Sequence, residues 1–294
     1  MDLVLHVGGV EVSLLVVIAL GVTVGIVAGM FGVGGGFLLI PLLHVVLDLP
    51  LAIAIGTGLC QTIATSLGSF LRHRAMGNAE SRFDILLLGG SVVGVLLGGL
   101  LLESLSHMGS VALFGKEIPL IRVIVTAVFL LLFCTIAVML WFKNTPILAT
   151  PQPGPLARIR IPPYVNLPTA KLPQVSAFSI CYLGVFIGVI TGLLGSGGGI
   201  ILIPLMLYGF GFDIRTAAGT GIIVVLIVSI VGTVQQAMMG NVHLGLATTL
   251  MIGSALAAQV GAGLTRSLPP TFLRKGLALT ILVSNCALVV KVLR

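Results

Sequence analysis

The sequence predicts an all-α integral membrane protein made of two inverted five-segment repeats, each with a glycine-broken half-helix. Three observations carry that prediction. Hydrophobic residues are 57% of the 294 and charged residues only 8%, where soluble domains run about 25% charged. Mean hydropathy is +1.23, and a water-soluble fold of this length could not cover its surface with so few charges. Second, two apolar stretches are interrupted by glycine, the poorest helix former after proline. They read "GMFGVGGGFLLIP" from Gly29 to Pro41 and "GLLGSGGGIILIP" from Gly192 to Pro204. Third, the copies share one gapless register. Gly29 aligns with Gly192, 163 positions on (192 − 29), and the same offset matches "GTG" at 56–58 with 219–221, "MGN" at 76–78 with 239–241, and Gly90-Ser91 with Gly253-Ser254. Such a register marks an internal duplication.

A spanning helix needs about 20 apolar residues. Eight segments qualify, near 12–31, 52–71, 83–103, 120–142, 175–194, 214–238, 244–264 and 273–293. Two shorter pieces follow the glycine breaks, at 36–47 and 199–210, and hold Pro41 and Pro204. At about 1.5 Å per residue they reach only part of the way across. They are half-helices or re-entrant segments, giving about eight full spans plus two short ones.

Residues 143–174 carry eight of the fourteen prolines, four basic residues (Lys143, Arg158, Arg160, Lys171) and no acid. This composition favours extended polyproline geometry and reads as a cytoplasmic linker between a first membrane repeat (1–142) and a second (175–294). Basic loops face the cytoplasm, which puts 72–82, 143–174 and 265–275 inside and 103–119 and 239–243 outside. Equivalent loops then lie on opposite sides, so the repeats are inverted and both termini lie outside. Lys291 and Arg294 fit that placement poorly. The net charge of +7 belongs to these loops rather than to a nucleic-acid surface. Cys60, Cys134, Cys181 and Cys286 lie in apolar runs without metal-ligand spacing, so no metal or cofactor is expected. The N-terminus lacks the basic region of a cleaved signal peptide.

Lipid cannot satisfy loose backbone polar groups, so irregular backbone at membrane depth is either buried in protein or lines a watery cavity. Paired breaks in inverted halves are the architecture of secondary transporters, with the site where the halves meet. Helices restarting at Gly36 and Gly199 would point free N–H groups and a positive dipole end at a ligand. Gly34, Gly35, Gly36, Gly197, Gly198 and Gly199 are therefore the first candidates, with Thr57 and Thr220, the hydroxyls of the two GTG copies. Gln61, Ser66, Ser196 and Ser229 are secondary candidates. The plain alternatives are that contiguous glycines serve tight helix packing and that the hydroxyls bond their own helix backbone. No Asp, Glu, Lys or Arg lies mid-span, and Asp84, Glu103 and Arg122 sit at predicted ends. Such a site suits a small, weakly charged anion met by dipoles. Two other motif readings fail. Gly32-x-Gly34-x-Gly36 lacks the strand–turn–helix context of a dinucleotide loop. Ser196 as a protease nucleophile needs a buried histidine base, and its repeat partner is Val33.

The glycine-break pair, the GTG pair and the two-half organisation resemble the TauE/SafE sulfite exporter family over about 12–292. The resemblance implies a multi-pass carrier of the plasma membrane (the bacterial inner membrane) that exports sulfite or a small organosulfur anion such as sulfoacetate, without ATP. It carries over to Gly34–Gly36, Gly197–Gly199, Thr57 and Thr220 alone. A passive small-anion channel, or a carrier of a different small anion, are the alternatives. No nucleotide-binding motif is present. The partners implied are the anion and the bilayer, with a homodimer as an option.

Overall fold

The computed structural model describes residues 4–7, 10–76, 80–113, 116–142, 154–168, 170 and 172–293. A hairpin, β1 (Val4–Val7) and β2 (Val10–Ser13), leads into α1 (Leu14–Phe31), α2 (Gly36–Val46), α3 (Leu51–Ala75) and α4 (Ser81–Ser106). A second hairpin, β3 (Ser110–Leu113) and β4 (Lys116–Pro119), precedes α5 (Leu120–Phe142). The second half opens on β5 (Tyr164–Leu167) and β6 (Leu172–Ser176), then α6 (Ala177–Leu194) and α7 (Gly199–Pro204), which runs into a π-helical turn at Leu205–Phe210. It closes with α8 (Ile214–Gly219), α9 (Ile222–Met238), α10 (Leu244–Ser267) and α11 (Pro270–Leu293).

Among the described residues, seven helical stretches are long and apolar enough to cross a bilayer: α1, α3, α4, Val123–Phe142 of α5, α6, Ile214–Met238 (α8 with α9) and α10. The eighth predicted span falls in α11, whose 24 residues carry Arg274 and Lys275 near one end and Lys291 near the other. The two short segments stand at Gly36–Val46 and Gly199–Phe210. The 11 residues of α2 reach about 16 Å, roughly half of a ~30 Å hydrocarbon core.

Proline treats the two half-helices differently. Pro41 sits inside α2 and cannot donate to Phe37 O four residues back. The Ser284 hydroxyl of α11 donates to that carbonyl instead, at 3.2 Å. Pro204 ends α7, and the chain widens into the π turn, which closes with Gly211 N–H and Phe212 N–H both donating to Met206 O at 3.0 Å. Phe37, Phe129 and Phe133 pack edge-on where α2 meets α5. Phe83, Phe210 and Phe212 do the same around the π turn.

The halves interlock. Gly21, Gly25 and Gly29 of α1 lie against the backbone of α10 at Leu250, Ser254 and Ala258. Gly184, Gly188 and Gly192 of α6 lie against the backbone of α4 at Leu87, Ser91 and Val95. Every residue of the second set stands 163 positions after its counterpart, or before it where the helix order reverses. A Cβ at Gly21 would stand 2.6 Å from Leu250 O, and one at Gly25 2.6 Å from Ser254 O. These are small-residue seams of the kind that lets membrane helices approach backbone to backbone.

The Pro-rich stretch is more than a tether. Residues 143–153 lie outside the described residues, but Gly154 N–H donates to Phe210 O at 3.1 Å. The Leu156 side chain covers Gly209 on the π turn. The three hairpins lie where hydropathy alone predicts loops. They are 4 or 5 residues per strand, too short to register against 20-residue spans.

Candidate substrate site

Both breaks begin alike. Gly32, in the left-handed conformation (φ 68°), ends α1 with its N–H on Ala28 O at 2.9 Å. Gly195 (φ 69°) ends α6 with its N–H on Thr191 O at 2.7 Å. Gly34 and Gly197 follow at φ 75° and 74°, a region open to glycine at no steric cost. The helices restart at Gly36 and Gly199. In α2 the N–H groups of Leu38 and Leu39 turn back to Gly35 O, while those of Gly36 and Phe37 point out of the helix end.

The two breaks cross each other. A Cβ at Gly36 would stand 2.7 Å from Gly195 O and 3.0 Å from Thr62 Oγ1. Reciprocally, Gly199 lies on the backbone of Val33. Gly34 and Gly197 face the same two side chains, Thr62 of α3 and Val225 of α9, with Ser66 Oγ and Ser229 Oγ each 3.6 Å from the respective Cβ position. Thr62 and Val225, and Ser66 and Ser229, are repeat partners at the 163-residue offset. Gly35 faces the amide of Gln61, with Oε1 2.5 Å and Nε2 2.9 Å from its Cβ position.

The polar groups here are buried and unspent. Gln61, Ser66, Ser196 and Ser229 are each 0% exposed. Neither amide atom of Gln61 and none of the hydroxyls of Ser66, Ser196, Ser229 or Thr233, one turn beyond Ser229, has a hydrogen-bond partner. Leaving a buried polar atom unpaired costs about 1–3 kcal/mol, so Gln61, Ser66, Ser196 and Ser229 beside one crossing are costly to leave unpaired. By contrast, the Thr62 hydroxyl donates to Gly58 O at 2.8 Å.

The structure thus gathers Gly34, Gly35, Gly36, Gly197, Gly199, Gln61, Ser66, Ser196 and Ser229. Gly198 turns onto Thr191 of α6. Thr57 and Thr220 stand apart and work as reciprocal staples. Thr57 Oγ1 accepts from His243 N–H at 3.2 Å, and Thr220 Oγ1 accepts from Glu80 N–H at 3.0 Å. His243 and Glu80 are the residues that cap α10 and α4.

Two features lie outside the sequence candidates. Thr62 and Val225 form the centre of the crossing. The spacing of Thr62, Ser66, Ser69 and His73, all buried on α3, was the available signal, because it follows one helix face. The other is the second GTG. In α3 the first copy is continuous helix, whereas Thr220 is extended and Gly221 left-handed (φ 83°), separating α8 from α9. The Gly221 N–H donates to Asp84 Oδ1 at 2.6 Å. The position matching Asp84 in the second half is Ala247. Among the described residues no three His, Cys, Asp or Glu side chains converge as a metal site.

Helices that break at a buried crossing between two interlocked halves define a multi-pass membrane transporter rather than an enzyme. The chain belongs to the TauE/SafE sulfite exporter family, whose description, "Sulfite exporter TauE/SafE", it matches over residues 17–288. It is similar to the probable membrane transporter protein YunE of Bacillus subtilis, 24% identical over 287 residues that cover 94% of this chain and 97% of that one. A probable membrane transporter protein of Haemophilus influenzae is 23% identical over 289 residues, 92% and 96% of the two chains. A third, from Methanocaldococcus jannaschii, is 24% identical over 272 residues, 87% and 88% of the two. No solved structure matches the chain.

Proposed function

We propose that this chain is a secondary transporter that carries sulfite, or a related small organosulfur anion, outward across the bacterial inner membrane. The anion binds near the midplane where the glycine breaks cross. The observation that carries this reading is the set of unpartnered buried polar atoms on Gln61, Ser66, Ser196 and Ser229. They surround backbone that glycine leaves open, beside the helix end of α2 with its positive dipole. The reciprocal contacts of Gly36 with Gly195 and of Gly199 with Val33 support a pair of repeats related across the site, and the basic loops put both termini outside. Because these residues are buried, the conformation described holds the site closed, and transport opens it to one side at a time.

The test is flux in proteoliposomes. Saturable sulfite uptake with counterflow, inhibited by sulfoacetate or thiosulfate more than by sulfate, is the expected result. Large unitary conductance without counterflow would make the protein a channel. Counterflow of another anion without sulfite flux would keep the carrier and change its cargo.

A further inference from the structure

The unpaired groups at the crossing have a donor and acceptor balance that constrains the ionic form of the ligand. This inference rests on the anion-transport reading above. Each of the three serine hydroxyls, of Ser66, Ser196 and Ser229, offers one donor and acceptor lone pairs, and the Gln61 amide offers two donors and one acceptor oxygen. Oε1 and Nε2 lie side by side against Gly35, 2.5 and 2.9 Å from its Cβ position, and neither has a partner. A fully deprotonated dianion supplies acceptors only. It would engage Nε2 and the hydroxyl donors but press oxygen lone pairs against Oε1. It would also bring two charges to a site where the atoms nearest the Cβ positions of Gly34–Gly36 and Gly197–Gly199 belong to no Lys or Arg. Desolvating a charge costs in proportion to its square, so a dianion costs roughly fourfold more than a monoanion of the same size.

We infer that the crossing selects a singly charged oxyanion that still carries a proton, hydrogensulfite rather than sulfite. Its O–H donates to Gln61 Oε1, and its oxygens accept from Gln61 Nε2 and from the Ser66 and Ser229 hydroxyls. Gln61 is the specificity-determining residue. Its repeat partner is Val224, so one half of the crossing supplies the amide and the anion sits off the symmetry axis. The titratable and charged groups on α2 and α3 are His44, Cys60, Arg72, His73 and Arg74, and Glu80 and Asp84 stand at the break before α9. His44 Nδ1 is 2.7 Å from Leu49 O and His73 Nε2 3.4 Å from Gly29 O. None of them supplies the atoms nearest those glycine Cβ positions. The pH dependence therefore comes from the ligand.

The experiment is sulfite counterflow by the wild-type chain in proteoliposomes, from mildly acidic to mildly alkaline pH. Methanesulfinate, singly charged throughout and without an O–H, is the competitor. KM on total sulfite should rise about tenfold for each pH unit above the second ionisation of sulfurous acid. KM on hydrogensulfite should stay constant, and inhibition by methanesulfinate should not change with pH. Gln61→Leu should raise KM for sulfite by about tenfold, the worth of one good hydrogen bond, and weaken methanesulfinate less. A KM on total sulfite that stays flat or falls as pH rises, with counterflow intact, overturns this inference and leaves the transporter standing. Methanesulfinate inhibition that follows the same pH curve also overturns it, by assigning the titration to the protein. No saturable flux of any small oxyanion from folded protein overturns both readings.

Discussion

Gly35 and Gly36 are neighbours in sequence, yet their missing side chains protect different things. A Cβ at Gly36 would meet the Gly195 carbonyl at 2.7 Å, and backbone on the far side of the crossing has nowhere to go. Gly36→Ala should therefore prevent a folded product, read as loss of the monodisperse peak on gel filtration in detergent. Gly35 has an ordinary φ of −90°, and its Cβ would meet only the end of Gln61. Gly35→Ala should fold, with melting close to wild type, and lose flux by about tenfold or more as Gln61 is displaced. Equal flux in that variant would remove Gln61 from the site. Thr57→Ala and Thr220→Ala should each cost about 1 kcal/mol, the worth of one hydrogen bond, and leave KM for sulfite unchanged. A raised KM would return both hydroxyls to the ligand.

At the scale of elements, the two GTG copies show how far sequence carries the fold. The motif is the same in both halves, and both were legible as part of a repeat. The break in one copy was not legible, because its cause lies outside the motif. Asp84 reaches the Gly221 N–H across 137 residues of chain separation, and the first copy has no such partner because Ala247 stands at the matching position. Asp84→Ala should cost about 1–3 kcal/mol by orphaning a buried amide. It should also speed hydrogen exchange at Gly221 relative to Gly58, and unchanged exchange would detach the break from the carboxylate. The glycine seams are legible in retrospect as residues four apart on intact helices. The contiguous glycines of the breaks hold attention at the sequence level, and a seam needs its partner helix before its meaning shows. Gly188→Leu should abolish assembly because Cβ space there is filled by the backbone of α4. Gly89→Leu, at a position with nothing within 4 Å, should be silent in the same gel-filtration assay.

Across the whole molecule α1 packs on α10 and α6 packs on α4. The offset of 163 residues, visible in the sequence, reappears in the seams, the staples and the crossing. The spans and the short segments were readable because hydropathy reports burial in lipid directly. Which surfaces meet was not, since nearly every face of such helices is apolar. The same limit applied to the linker, where composition pointed to a tether and packing adds a clasp. Shortening 143–153 should leave flux intact, whereas Leu156→Ala should lower the melting temperature by uncovering Gly209 on the π turn. Substrate binding where the glycine breaks cross is tested by sulfite counterflow with the Ser66→Ala, Ser229→Ala pair beside wild type, with melting followed in the same preparations. Unchanged or higher melting is expected, because two unpaired buried hydroxyls are gone, together with a KM raised by about tenfold or more. Wild-type KM and rate in a folded double variant would place the substrate elsewhere in the molecule.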